Sequence, residues 1–223
     1  NTANDVVEKN LIAYDHRHGY RGPVATIGEH DSKSLDSIQK NLEKYPELNH
    51  LIPAVVTEVR EKEATVTLQS GRTILIPWSG MSWARPALKN GWVGKSPSKA
   101  MQIVAVGDII YVHSTKDHWE LAQIPEAESA MVALNPKNGA IEVLVGGFNF
   151  QKSKFNRATQ SSRQPGSSFK PFVYAAALNN GYTLATLIND APIVVDDPSQ
   201  PNLWRPHNVN LKFNGPTRLK QAL

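Results

Sequence analysis

Three segments of the chain place a serine hydroxyl three residues ahead of a lysine amine: Ser37-Ile38-Gln39-Lys40, Ser96-Pro97-Ser98-Lys99 and Ser167-Ser168-Phe169-Lys170. On a helix, residues i and i+3 share a face one turn apart, so the amine can reach the hydroxyl. The chemistry open to such a pair is nucleophilic acyl transfer, with the lysine taking the serine proton. The lysine must then be shielded from water, because a solvated ammonium keeps its ordinary pKa of ~10.4. Lys40 falls on the polar face of a helical pattern. Ser96 lies in a loop broken by Pro97, where the one-turn geometry is not held. Ser168 has no lysine three residues later.

Ser167 differs in three respects. Pro165-Gly166 lets the chain turn sharply, so the serine falls at the start of a predicted helix from Ser167 to about Leu178, closed by Asn179-Asn180-Gly181. Unpaired N–H groups and the helix dipole at that start favour developing negative charge, which suits an oxyanion. Phe169, Phe172, Val173, Tyr174 and Ala175 to Ala177 supply apolar bulk, and desolvation lowers a lysine pKa. The spacing alone favours a serine N-cap opening an ordinary buried helix, with Lys170 snorkelling to water.

The elements that must hold this pair fall in three zones. Residues 1–49 read as a helical linker or docking element. Val6, Val7, Leu11 and Ile12 have helical spacing up to a polar stretch from Asp15 to Gly22, and Leu35, Ile38, Leu42 and Tyr45 repeat the pattern until Pro46. Residues 50–124 read as about five short strands, with Gln69-Ser70-Gly71-Arg72 as a turn, and an OB-type barrel fits them best. Residues 125–223 open with a predicted hairpin, Ala130–Leu134 and Ile141–Val145 around Asn135-Pro136-Lys137-Asn138-Gly139. They continue through the Ser167 helix into a Pro-rich stretch where Asp190, Asp196 and Asp197 are expected to cap turns. The fold class is multidomain α+β, a small OB-like barrel followed by an α/β segment.

Composition narrows the choices. With 40% hydrophobic and 20% charged residues, the 223-residue chain can build a core. The absence of cysteine excludes disulfides, thiolate metal sites and cysteine nucleophiles. The seven histidines, His16 and His18 among them, show no metal-ligand spacing. A formal charge of +4 permits anionic partners, but the cations are spread and interrupted. Trp78, Trp83, Trp92 and Trp119 are expected to pack in or around the barrel, with base stacking the alternative. No apolar run approaches the ~20 residues of a membrane span, and no signal peptide opens the chain. Asn1 and Leu223 read as cuts through a longer polypeptide.

The residues around Ser167 add a resemblance. Phe155-Asn156-Arg157-Ala158-Thr159-Gln160 and Arg163-Gln164-Pro165-Gly166-Ser167-Ser168-Phe169-Lys170-Pro171-Phe172 closely resemble the active-site segment of class A penicillin-binding proteins. Leu134-Asn135-Pro136-Lys137-Asn138-Gly139-Ala140, Val145-Gly146-Gly147-Phe148, Trp204-Arg205-Pro206-His207-Asn208 and the run from Phe213 to Leu223 extend it. Tyr14 to Pro23 and the barrel zone match the interdomain linker and OB-like insert of one subgroup. The resemblance implies that the last zone is the N-terminal part of a serine transpeptidase domain, of the β-lactamase/DD-peptidase kind. It implies catalytic Ser167, acylated by D-Ala-D-Ala stem peptides or β-lactams, and Lys170 as general base, with no metal or organic cofactor. Peptidoglycan stem peptides and β-lactams are the implied partners, nucleic acid is not, and an outer-membrane lipoprotein activator is a candidate for the OB-like domain.

The implied place is the periplasmic face of the inner membrane, with the anchor and a peptidoglycan glycosyltransferase domain outside this chain. The family's Ser-x-Asn and Lys-Thr/Ser-Gly motifs are absent from the sequence, so the segment alone is expected to be inactive. The alternative reading is an OB-type nucleic-acid- or protein-binding module without catalysis.

Overall fold

The structure, a computed structural model, describes residues 2–194 and 203–222. Asp196 and Asp197, assigned above to turn capping, lie outside the described residues. The chain divides into two compact units between Ser161 and Ser162.

In the first unit, the consecutive apolar residues of two strands dictate the architecture. Strand β2 (Ile52–Val59) runs into β3 (Glu63–Leu68) and β4 (Thr73–Pro77) as an antiparallel meander. The turn between β3 and β4 is the predicted one, closed by the Leu68 amide donating to the Arg72 carbonyl at 2.9 Å. Strand β5 (Asp108–Ser114) pairs with the other edge of β2. The free edge of β5 is shared by β1 (Ala25–Thr26), opposite Asp108 and Ile109, and β6 (Trp119–Ala122), opposite Tyr111 to Ser114. The sheet curls until β6 comes against β4, which gives the OB-like barrel.

Because side chains alternate along a strand, Ala54, Val56, Ile110 and Val112 point into the barrel beside Val66, Ile76, Met81 and Leu121. Val55 and Ile109 point outward, where Ile38 and Leu42 of helix α2 (Leu35–Leu42) cover them. Tyr111 packs in a third cluster with Val7 and Leu11 of helix α1 (Thr2–Arg17), Leu51, Val145 and Phe148. Strands that read as unbroken apolar runs are thus buried on both faces.

Helix α1 runs past Asp15 to Arg17, beyond the polar stop expected from its pattern. The reason is that the polar residues face the barrel. Buried Asp15 receives two hydrogen bonds from the Arg21 guanidinium, at 2.8 and 3.1 Å, and His16 stacks on Trp83 with ring centroids 3.7 Å apart. The predicted hairpin forms as β7 (Met131–Leu134) and β8 (Ile141–Val145).

The second unit holds helix α3 (Lys170–Asn179), an antiparallel pair of β9 (Leu187–Asp190) and β10 (Gly215–Arg218), and the short helix α4 (Leu219–Ala222). The β9–β10 pair was not anticipated from sequence. Its second strand reads Gly-Pro-Thr-Arg, a composition that argues against a strand.

Candidate active site

Ser167 lies in a single 3-10 turn, Gly166–Phe169, and Lys170 is the first residue of α3. The expected α-helix start at Ser167 is therefore tightened into a 3-10 turn. The consequence favours the pair, since residues three apart on a 3-10 turn eclipse one another. The Lys170 amide donates to the Ser167 carbonyl, which fixes the spacing through the backbone. Gly166 has φ +52° directly after Pro165 at φ −65°, a sharp entry that a residue with a side chain would strain. At the other end, α3 stops as read from sequence, with the Tyr182 amide bonded to the Ala177 carbonyl at 3.1 Å around Gly181.

The expected apolar enclosure is not built by this chain. Phe169, Phe172 and Val173 are 55%, 68% and 53% exposed, and α3 has no buried residue. Ser167 and Lys170 are themselves exposed, and neither side chain bonds to another described residue. The apolar residues flanking Lys170 face outward because no second layer among the described residues of the second unit covers them. They do not supply the desolvation invoked above. Ser37 is half-buried on α2 with its hydroxyl donating to Asp31 at 3.1 Å, and Ser96 is exposed beside Pro97.

Two constellations escaped the sequence reading. Glu128 gathers the chain after β8: its carboxylate pairs with Lys152 at 2.9 Å, accepts the Phe148 amide at 2.9 Å and lies 3.6 Å from Arg157. Lys152 also donates to the Pro125 carbonyl. Burial alone would raise the Glu128 carboxyl, but Lys152, the Phe148 amide and Arg157 outweigh it and hold it below its ordinary value. Gly146 is required here, since a Cβ would sit 2.9 Å from the Asn156 Cα and closer still to its side chain. In the second unit, Asp190 is a hub more than a turn cap. Its oxygens accept from Asn208 Nδ2 and from both nitrogens of Asn214, all at 2.9 Å, and the Asn214 amide above all holds its carboxyl below the usual range. No local spacing signals either cluster, because the partners lie some 18–29 residues apart.

Of the tryptophans, Trp78, Trp83 and Trp119 are partly buried against the barrel core, whereas Trp92 is exposed. Among the described residues no cluster of three or more His, Asp or Glu side chains converges as a metal site, and no helix is long and apolar enough to cross a membrane.

An OB-like barrel followed by a segment with a Ser-x-x-Lys turn defines a class, and comparison with known proteins agrees. Residues 20–127 match the family model of the penicillin-binding protein OB-like domain, and residues 129–223 match that of the penicillin-binding protein transpeptidase domain. The chain belongs to the penicillin-binding protein family. Within it, the similarity is to penicillin-binding protein 1A: 44% identity to that of Pseudomonas aeruginosa over 100% of this chain, and 47% to that of Vibrio cholerae over 99%. The crystal structure of penicillin-binding protein 1A from Haemophilus influenzae superposes with a TM-score of 0.75 at 41% identity, covering 99% of this chain and 31% of that one. The chain spans just over a quarter of the length of the curated relatives, 27% and 28% for the first two.

Proposed function

We propose that this chain is the acylating segment of a peptidoglycan D,D-transpeptidase, with Ser167 as nucleophile and Lys170 as general base. The observation that carries the reading is the 3-10 turn that sets Lys170 three residues behind Ser167 inside a transpeptidase-domain sequence. In the acylation step, the neutral Lys170 amine takes the Ser167 hydroxyl proton as Oγ attacks the carbonyl of the penultimate D-Ala. The C–N bond breaks, the proton passes to the departing D-Ala amine, and an ester remains on Ser167. An amine of a second stem peptide then attacks the ester carbonyl, the C–O bond to Ser167 breaks, the amine proton returns to the departing Ser167 oxygen, and an amide links the two peptides. A β-lactam acylates the same oxygen, but its opened ring stays attached.

A water-free Lys170 needs cover from residues of the longer relatives that this chain does not span. In this reading the whole protein also carries a glycosyltransferase domain and a membrane anchor, works on the periplasmic side of the inner membrane, and takes a lipoprotein activator on the OB-like domain. These parts rest on family membership.

The test is labelling with fluorescent penicillin of a polypeptide extended through the Ser-x-Asn and Lys-Thr/Ser-Gly motifs. Ser167→Ala abolishes labelling, and retained labelling removes Ser167 as nucleophile. Lys170→Ala slows acylation by about 100-fold or more with unchanged thermal stability. An unchanged rate removes Lys170 from the base role.

A further inference from the structure

Between Ala64 and Gly107 the chain has no Asp or Glu, yet it carries Arg72, Arg85, Lys89, Lys95 and Lys99. Their surroundings differ. The Arg72 guanidinium lies over the Trp119 ring at 5.7 Å, Lys99 pairs with Glu61 at 3.2 Å, and Arg85 donates to the carbonyls of Gly94 and Val93 at 2.8 and 3.4 Å. Lys89 and Lys95 are exposed and make neither ion pair nor hydrogen bond with another described residue.

Lys89 lies in the tip of a hairpin with an unusual surface, and Lys95 follows its last residue at the base. Residues 86–94 fold back on themselves, with the Gly94 amide donating to the Pro86 carbonyl and the Leu88 amide to the Trp92 carbonyl, both at 2.8 Å. Leu88 and Trp92 face each other across the ribbon, so their side chains project to the same side. They are 46% and 71% exposed. The base of the hairpin is held on the barrel by buried Tyr20, whose amide donates to the Arg85 carbonyl at 2.6 Å and whose carbonyl accepts the Ala87 amide at 2.8 Å. A fixed base therefore presents an indole, an isobutyl group and the unpaired Lys89 ammonium at the tip, with the unpaired Lys95 ammonium at the base.

We propose that this tip is a contact point for an anionic lipid surface. A soluble polyanion would use the lysines and leave Leu88 and Trp92 in water. A protein partner needs an interface of ~800 Å² per side, far more than one hairpin tip offers. A bilayer interface takes the tip without a shaped partner: indole and aliphatic carbon enter the headgroup boundary, the Lys89 ammonium stays with the phosphates, and Lys95 at the base adds longer-range attraction. This reading is independent of the assignment of Ser167 and Lys170.

The experiment is co-sedimentation of the chain with vesicles of equal parts phosphatidylglycerol and phosphatidylethanolamine, against pure phosphatidylcholine. Comparison of variants on the same vesicles cancels any adsorption through the exposed faces of the second unit. Trp92→Ala is expected to weaken binding to the anionic vesicles by about tenfold. Lys89→Gln and Lys95→Gln weaken it roughly fivefold each. None of them shifts thermal unfolding. Bromine-labelled lipid quenches wild-type tryptophan fluorescence more than that of Trp92→Phe. Equal binding by wild type and Trp92→Ala, or equal quenching in wild type and Trp92→Phe, overturns the proposal. So does binding that polyglutamate reproduces with no bromolipid quenching, which assigns the lysines to a soluble polyanion.

Discussion

The barrel and helix α3 are both rich in apolar residues, yet they end in opposite environments. Val55, Val56, Ile109 and Ile110 are at most 1% exposed, because the barrel interior takes one face of each strand and α1 or α2 takes the other. In α3, Phe172, Val173 and Leu178 remain exposed, and Leu219 is the only buried residue among the described residues of the second unit. A helix apolar on all sides belongs inside a domain. Burial is a property of partners, and the described residues of the second unit supply α3 with too few of them. The same deficit leaves Lys170 in water beside Ser167.

Amide hydrogen exchange should show the contrast at its largest. Amides of β2 and β5 are expected to exchange orders of magnitude more slowly than those of α3, which open locally at almost no cost. Equal protection in the two elements would break the comparison. Next in size are core truncations. Ile110→Ala leaves a cavity where the barrel cannot collapse and should cost about 2–4 kcal/mol by denaturant unfolding. Phe172→Ser in this chain should stay within ~0.5 kcal/mol, as an exposed position does. A large loss from Phe172→Ser would mean that α3 has a cover not visible in the second unit. Glu128→Gln sharpens the comparison within the first unit. It leaves Lys152 without its counter-charge and should cost about 1–3 kcal/mol, measured the same way.

What could be read in the sequence follows the same divide. The five strands and the Leu68–Arg72 turn were legible because short-range alternation and turn chemistry agree with the tertiary outcome. Around the site, Pro165-Gly166, the Ser167–Lys170 spacing and the stop at Gly181 were legible for the same local reason. The exposure of Lys170 was not, since apolar neighbours in sequence do not say what lies above them. The Glu128 and Asp190 hubs, and the β9–β10 pair, join residues far apart in the chain, and β10 carries the Gly-Pro that local rules count against a strand. The length of α1 was underestimated because Asp15 and His16 look like surface residues until Arg21 and Trp83 are placed opposite them.

That last contact gives a small expected effect and a test of how firmly α1 is docked. Burial against Trp83 pushes the His16 imidazole down to about 4, opposed by Asp15 and reinforced by His113. His113 is lowered as well, again mainly by burial, with Glu120 opposing and His118 and His50 adding to the fall. In the unfolded chain both rings titrate near 6.5. Between about 6.5 and 4 the unfolded state binds more protons than the folded one, so stability is full above 6.5 and declines as pH falls through that window. With the partial exposure of His16 discounted, its share is about 1 kcal/mol, or roughly 2–4 °C in Tm. His16→Phe keeps an aromatic ring on Trp83 and removes the titrating group, so the Tm of this variant should vary less between pH 6.5 and 4.5 than that of the wild type. If the two Tm profiles are parallel, His16 is not docked as described, and the contact that carries α1 past Asp15 must be sought elsewhere.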